Sequence, residues 1–336
     1  MENINTSKPS LEQWSELFKL AAEIKSLKPW TSLWDTDLIT LILPDLDEPV
    51  FCSIMGKNDQ CYAIGAYQGF DSLVGFRLIL QSSENDPAFI TGFEQKCLML
   101  YYGNREHVDP KDREVYNSLG LKFRGRNEWV HFRAMEPGYY PWYFDSDQAD
   151  LMIQVLKNLK PALEYYYSND VKIDFDEGKT LLRRFSNEES LWHNEVSELP
   201  YVPVSRYMIV VENDILIARI NRLQRNYRQL EYDMFYFPLP IKKDLDVRPQ
   251  MSMMLLLADR KAGLIINKKI LENDDAVDDA ALKMLIDYMA TYGKPASINI
   301  RDERMACIIA DLCEKTKIKL ISGNNMDVIN TFIKML

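Results

Sequence analysis

The sequence predicts an α+β protein with two domains, each a mixed sheet with helices packed on it. Its length of 336 residues fits two domains of roughly 100–200 residues each. In both halves, short segments rich in β-branched and aromatic residues alternate with amphipathic helical segments. A polar, acidic stretch separates the halves. We therefore expect an N-terminal α+β domain at 1–168, an acidic connector at 169–200 and a C-terminal α+β domain at 201–336. The alternative for the connector is an extra strand and helix packed on one domain.

The first helix is signalled at both ends. Ser10 is a suitable N-cap, and Gln13 stands three residues later, as in a capping box. Apolar residues then recur at helical spacing as far as Leu27. Pro29 ends the helix, because the residue before a proline avoids the helical conformation.

The rest of the N-terminal half reads as short strands and helices. We expect strands at 37–43, 50–55, 61–67 and 96–102, and helices at 70–80, 89–95, 111–119 and 146–167. The polar residues 56–60 favour a hairpin loop. Residues 120–144 differ, because they carry no long helical or strand period and are dense in Arg, aromatic residues, Gly and Pro.

The C-terminal half begins with β signals and ends as alternating helices and strands. We expect hairpins at 207–220 and 251–270, a strand at 230–237, helices at 275–292, 302–316 and 325–336, and strands at 297–300 and 317–322. The last strand–helix–strand unit predicts a parallel crossover. Segments 50–119 and 252–316 share the order hairpin, helix, strand, helix. A duplication would explain this, but residue identity is negligible and the order is a common one.

The net charge, the apolar runs and the cysteine content of the sequence limit the classes of function that we expect. The net charge of −10 opposes binding to anionic membranes, and it disfavours nucleic acid except through a local basic face. No apolar run reaches 18 residues, and the N-terminus lacks the pattern of a signal peptide. Five scattered cysteines fit a reducing compartment. These features predict a cytoplasmic protein.

Several catalytic patterns are missing from the sequence. It contains neither the nucleophile elbow GxSxG nor the dinucleotide motif GxGxxG, and its three histidines are not spaced as a helical zinc pair. We therefore expect no cofactor, no metal ligand and no catalytic residue. The aspartates at 274, 275, 278 and 279 could hold a divalent cation, but negative charge at a helix N-terminus is the favoured interpretation.

The segment 120–144 combines basic and aromatic residues. Guanidinium groups bind carboxylates or phosphates in a bidentate manner, and aromatic rings offer stacking faces. The candidate ligand-binding residues here are Arg124, Arg126, Trp129, Arg133, Tyr139, Tyr140 and Trp142, with Lys122 as an additional cation. The alternative is a packed loop in which the arginines pair with acidic residues and the aromatic rings fill the core.

Two further sets of polar residues are notable. Arg301 and Asp302, like residues 322–325, should lie at the carboxyl ends of parallel strands, where open sheets bind ligands. The alternative for these acidic and amide residues is helix capping. Arginines at 219, 222, 225 and 228 recur every third residue without an intervening acid, which favours a solvated face.

Four segments, at 14–30, 48–56, 119–142 and 295–305, carry a resemblance to known proteins. They include WSELFKLAAEIKSLKPW and PASINIRDERM. The chain resembles a family of cytosolic bacterial proteins that pair two domains of unknown function. The resemblance implies a two-domain bacterial cytosolic protein and transfers no catalytic residue.

The sequence thus favours a non-catalytic binding or adaptor protein that recognises an anionic ligand or partner. One alternative is a metal-dependent nucleic-acid-processing enzyme, with Asp302, Glu303 and the aspartate group as metal ligands. Another is an interaction scaffold without a small ligand. A stable homodimer without a ligand would favour the scaffold.

Overall fold

The computed structural model describes residues 7–81, 93–168, 171–203, 207–241, 247–271, 276–301, 303–323 and 325–335. They form two compact units. The first contains the described residues of Met1–Leu80, Gln95–Pro137 and Pro141–Pro203. The second contains those of Gln81–Glu94, Gly138–Tyr140 and Val204–Leu336. The helix expected at 89–95 falls mostly outside the described residues, and Asp302 falls outside them entirely.

The first unit is a seven-stranded mixed sheet with helices on both faces. Its helices are α1 (Leu11–Leu27), α2 (Gly69–Gln81), α3 (Pro110–Leu119) and α4 (Ser146–Ser168). Its strands are β1 (Ile39–Ile42), β2 (Val50–Met55), β3 (Tyr62–Gln68), β4 (Cys97–Gly103), β5 (Trp129–Met135), β6 (Lys179–Ser186) and β7 (Leu191–Glu198). The strand order is β5-β4-β3-β2-β1-β6-β7. Strands β1 and β6 are parallel, and the other neighbours are antiparallel.

Helix α1 forms as its end signals predict. The Ser10 hydroxyl accepts from the Gln13 backbone N–H at 3.2 Å, and the Gln13 side chain accepts from the Ser10 N–H at 2.8 Å. Lys28 ends the helix in the left-handed conformation, immediately before Pro29. The apolar stripe of α1 packs with α4 against the sheet and fills the larger core of this unit.

Residues 129–135 form a strand, which corrects the expectation of an aperiodic segment from 120 to 144. Strand β5 pairs with β4 along its whole length. Val130, Phe132 and Ala134 alternate into the core. His131 and Arg133 occupy the other face and are buried as well. This polar face masked the period-two pattern, because a buried strand face is usually apolar.

The acidic connector expected at 169–200 is also wrong for most of its length. Residues 179–198 form β6 and β7, and β6 pairs in parallel with β1. The Thr180 hydroxyl donates to the Leu38 carbonyl at 2.7 Å, which fixes this pairing. Strand β7 is an edge strand and largely exposed. Its polar sequence suits such a solvated edge as well as it suits a linker.

The second unit is a five-stranded sheet between two layers of helices. Its helices are α5 (Asp214–Asn221), α6 (Val277–Tyr292), α7 (Glu303–Lys315) and α8 (Asp327–Ile333). Its strands are β8 (Gln229–Ile241), β9 (Gln250–Asp259), β10 (Leu264–Leu271), β11 (Ser297–Ile300) and β12 (Lys319–Ser322), in the order β10-β9-β8-β11-β12. Strand β11 is parallel to both β8 and β12, so the expected parallel crossover is confirmed.

Residues 214–221 form a helix, which corrects the hairpin expected at 207–220. The Asn213 side chain accepts from the Leu216 N–H at 2.9 Å and caps helix α5. Apolar Leu216, Ile217 and Ile220 then share the face toward the core. Their spacing of three and four suits a helix as well as their β-branched character suits a strand.

The two faces of the second sheet are covered by different helices. Helices α5, α6 and α7 enclose the larger core on one face. Helix α8 covers the other face, where Ile329 and Ile333 pack against Phe235 and Leu256. None of the helices in the described part of the chain has the length and apolar content that a membrane span requires.

Candidate functional site

The most exposed cations of the basic segment lie in the loop between α3 and β5, residues 120–128, here called the basic loop. Lys122, Arg124 and Arg126 are all exposed. Within the described part of the chain, their side chains form no hydrogen bond and no ion pair. The loop therefore presents three cations that form no ion pair with any carboxylate of the described residues.

Both ends of the basic loop are anchored. Gly120 ends α3 in the left-handed conformation, and the Leu121 N–H donates to the Tyr116 carbonyl at 2.9 Å. At the other end, the Asn127 N–H donates to Asn104 Oδ1 at 3.0 Å. Lys25 Nζ donates to the Asn127 carbonyl at 2.6 Å and contacts the Glu128 carboxylate at 2.7 Å. The loop is thus held by contacts from three separate elements.

The aromatic residues of the loop region point into the core. The Phe123 ring lies 4.8 Å from the Tyr116 ring and 6.0 Å from those of Phe18 and Trp129. Trp129 is half-buried and packs on the same cluster. Both rings are therefore packed against the core and only partly exposed. Here the alternative interpretation, aromatic residues that fill the core, describes the arrangement better.

Arg133 is separated from the exposed cations by burial and by its partners. Its guanidinium donates to both carboxylate oxygens of Asp112, at 2.7 and 2.9 Å. It also donates to Asp109 at 2.8 Å and to the Phe132 carbonyl at 2.7 Å. Buried ion pairs with this many hydrogen bonds hold structure together. Because its donors are engaged, Arg133 is not available to a ligand in this arrangement.

The remaining aromatic candidates lie elsewhere. Trp142 exchanges two backbone hydrogen bonds with Ala134, at 2.7 and 3.0 Å. Tyr139 and Tyr140 belong to the second unit, where Tyr140 N–H donates to the Pro249 carbonyl at 2.9 Å. The segment that looks continuous in sequence is therefore divided among a loop, a strand and a part of the other unit.

Arg301 lies at the carboxyl end of β11, as expected, but it is enclosed. Its Nε is 2.8 Å from Asp233 of β8, and its Nη2 donates to Asn330 of α8 at 2.7 Å. The side chain is only 5% exposed. This network joins α8 to the sheet, which is a structural role.

Glu231 strengthens the same junction. This fully buried carboxylate accepts from the N–H groups of Val328 and Ile329, both at 3.0 Å. Burial raises its pKa, and the two backbone hydrogen bonds oppose that effect. Sequence reasoning missed Glu231 and Asp233, because nothing local marks a carboxylate inside an apolar strand as paired.

The acidic residues show no metal-binding arrangement in the described ranges. No group of three or more His, Cys, Asp or Glu there could hold a metal ion. Asp278 lies 3.6 Å from Arg304. Asp274 and Asp275, like Asp302, fall outside the described residues.

Two family models match the sequence of this chain. Residues 14–183, just over half of the chain, match the model of a domain of unknown function, DUF7309. The chain belongs to the DUF7309 family. Residues 216–336 match a second domain of unknown function, DUF6930. The expected pairing of two domains of unknown function is confirmed. No curated protein matches the chain.

Two solved structures show distant similarity. One is a simian T-cell lymphotropic virus intasome in complex with PP2A regulatory subunit B56 gamma, with 16% identity and a TM-score of 0.24. It covers 36% of this chain and 45% of that chain. The other is the Mos1 strand transfer complex, with 14% identity and a TM-score of 0.22, covering 37% and 46%. The chain thus spans less than half of each, and similarity this low bears on no functional question.

Proposed function

We propose that this protein is a non-catalytic binding protein whose basic loop contacts an anionic partner. The observation that carries the proposal is the anchored display of Lys122, Arg124 and Arg126 without a carboxylate partner in the described residues. In a chain of net charge −10, a local surface of three exposed cations without ion-pair partners among the described residues is an attractive site for a negatively charged group.

An acidic protein segment is the partner class that fits best. Single-stranded nucleic acid is bound by cations together with aromatic stacking faces. Phe123 and Trp129 pack against the core, so the fully exposed side chains of the basic loop are mainly its cations. A long polyanion would also be repelled by the rest of the acidic chain. Carboxylate side chains need only the guanidinium and ammonium donors that the loop presents.

The expected binding is weak to moderate and sensitive to salt. Each exposed ion pair contributes about 0.2–1 kcal/mol. Screening over roughly 8–10 Å at physiological salt weakens such contacts further. Electrostatic attraction of this kind favours association rate and specificity more than tight affinity.

The test compares two probes on three proteins. The probes are a polyglutamate peptide and a single-stranded oligothymidine of equal length, followed by fluorescence anisotropy at low and high salt. The proteins are the wild type, the loop variant with Lys122, Arg124 and Arg126 changed to Ala, and a charge-matched control. The control changes Lys8, Lys96 and Lys172, which are also exposed, to Ala.

We expect the wild type to bind polyglutamate and the loop variant to bind it about tenfold more weakly, from three surface contacts. The control should match the wild type, which shows that position matters beyond net charge. Equal losses in both variants would overturn the loop as a site. Tighter binding of oligothymidine would overturn the acidic-segment assignment.

A further inference from the structure

A buried lysine in the second unit has no counter-charge. Lys294 follows α6 and is only 7% exposed. Its ammonium donates to the Asn221 carbonyl at 3.2 Å. In the described part of the chain, no carboxylate forms an ion pair with it. Lysines are rarely buried in this way unless they are paired.

The neighbouring charged side chains are also cationic and add to the electrostatic cost of burying Lys294. Arg225 lies beside it in a backbone bridge, and its Nη2 donates to the Lys317 carbonyl at 2.7 Å. Burial lowers the pKa of Lys294, and the positive charges of Arg225 and Lys317 lower it further. Arg225 and Lys317 likewise form no ion pair among the described residues. These three residues are here called the cation cluster.

The backbone around the cluster is firmly built. The Lys294 N–H donates to the Gln224 carbonyl at 2.8 Å, and the Asn226 N–H donates to the Lys294 carbonyl at 2.9 Å. The Asn226 side-chain amide also donates to the Tyr288 hydroxyl at 2.9 Å. At Gly293, φ is +88°, and a Cβ atom would lie 2.4 Å from the Gln224 carbonyl oxygen. Only glycine permits this close approach.

We propose that the cation cluster is a binding site for a phosphate group, supplied as inorganic phosphate or as a small phosphomonoester. A phosphate carries about −1.5 to −2 charges at neutral pH and has several acceptor oxygens. It can therefore accept from a guanidinium and two ammonium groups together, which a single carboxylate does less well. The bound dianion would offset the repulsion that the free protein carries at Lys294.

A binding role of Lys294 and a structural role predict opposite effects of its replacement. If Lys294 only held the Asn221 carbonyl, its replacement would weaken the fold. If Lys294 instead serves to bind an anion, Lys294→Met removes a buried charge that has no ion-pair partner, and the protein without phosphate gains thermal stability. The same substitution must then remove the stabilisation by phosphate.

The experiment measures thermal unfolding midpoints during titration with inorganic phosphate, glycerol phosphate, sulfate and acetate. We expect phosphate and sulfate to raise the wild-type midpoint and acetate to leave it unchanged. Lys294→Met should weaken the phosphate response roughly tenfold or more, as expected for losing a hydrogen bond to a charged group. Arg225→Gln and Lys317→Met, at exposed positions, should weaken it too. The matched control is Lys269→Met on β10, also exposed.

The two phosphate sources are told apart by their affinities. A stronger response to glycerol phosphate indicates an organic phosphomonoester, and a stronger response to inorganic phosphate indicates the free ion. No response of the wild type to either would overturn the proposal. So would an equal loss in Lys269→Met, because the binding would then be general surface attraction. This outcome is independent of the basic loop, which lies in the other unit and is tested with different probes.

Discussion

Arg133 in the first unit and Lys294 in the second are both buried cations, at 8% and 7% exposure. Their surroundings are opposite. Two carboxylates, Asp109 and Asp112, enclose Arg133 within 3 Å. Lys294 has one backbone carbonyl and two neighbouring cations. Burial of a charge therefore does not by itself define its role. A cation with a counter-charge nearby can stabilise the fold through an ion pair, whereas a buried cation without one is a candidate site for an anion.

The largest expected effect comes from breaking the paired cation. Arg133→Met leaves the buried Asp112 carboxylate without its partner. Removing one member of a buried pair costs about 3–5 kcal/mol. We expect the free energy of unfolding, measured by urea denaturation, to fall by about this amount. Lys294→Met should shift stability in the opposite direction.

Arg184→Met is the matched control for that experiment. Arg184 pairs with Glu195 at 2.9 Å, but both side chains are nearly half exposed. Such surface pairs contribute at most about 1 kcal/mol. If Arg133→Met lowers the free energy of unfolding no more than Arg184→Met does, the buried ion pair of Arg133 does not have the structural role assigned to it.

An intermediate effect should appear as pH falls. His131 neighbours Arg133 on β5 and is 8% exposed. Burial, reinforced by the Arg133 charge, lowers its pKa to about 4. An unfolded histidine has a pKa of about 6.5, so the unfolded chain takes up the proton first. Stability should therefore decrease as pH falls from about 6.5 to 4, by up to about 3 kcal/mol.

Urea unfolding across this pH range checks the histidine prediction. In His131→Gln the slope between pH 6.5 and 4 should become shallower by the His131 contribution. His193→Gln serves as the control, because that side chain is 38% exposed. A pH dependence identical in the wild type and His131→Gln would show that His131 is not held neutral.

The smallest effect on stability should come from the basic loop. Its three side chains are exposed and form no hydrogen bond or ion pair in the described structure, and surface substitutions of this kind usually stay within about 0.5 kcal/mol. The variant with Lys122, Arg124 and Arg126 changed to Ala should unfold at the wild-type urea midpoint. A clear drop would mean that these cations have a structural role similar to that of Arg133.

Much of the fold could be predicted from local signals. The hairpin β2–β3, helix α1 and strand β11 form at or close to the expected residues. The shared order of segments 50–119 and 252–316 is also present. The pairing differs, since β4 lies antiparallel beside the hairpin strand β3, whereas β11 lies parallel beside β8. Local order alone therefore does not indicate duplicated folds.

The failures of prediction share one cause. Strand β5 carries buried polar residues, β6 and β7 carry exposed charges, and α5 carries β-branched residues. In each case the local pattern departs from the usual one because a distant partner changes the environment. Lys25 and Asn104 anchor the basic loop from separate elements. No sequence pattern near the loop predicts these two contacts.

The caps, the turns and the periodic helices and strands follow from local sequence, because they depend on residues within one or two turns of each other. It also located the cations that remain exposed in the basic loop. Which cations have a carboxylate partner depends instead on tertiary contacts. Asp112 lies 21 residues from Arg133, and Asn221 lies 73 residues from Lys294. Electrostatic energies depend on separation in space and on burial. Neither quantity can be predicted from the spacing of residues along the chain.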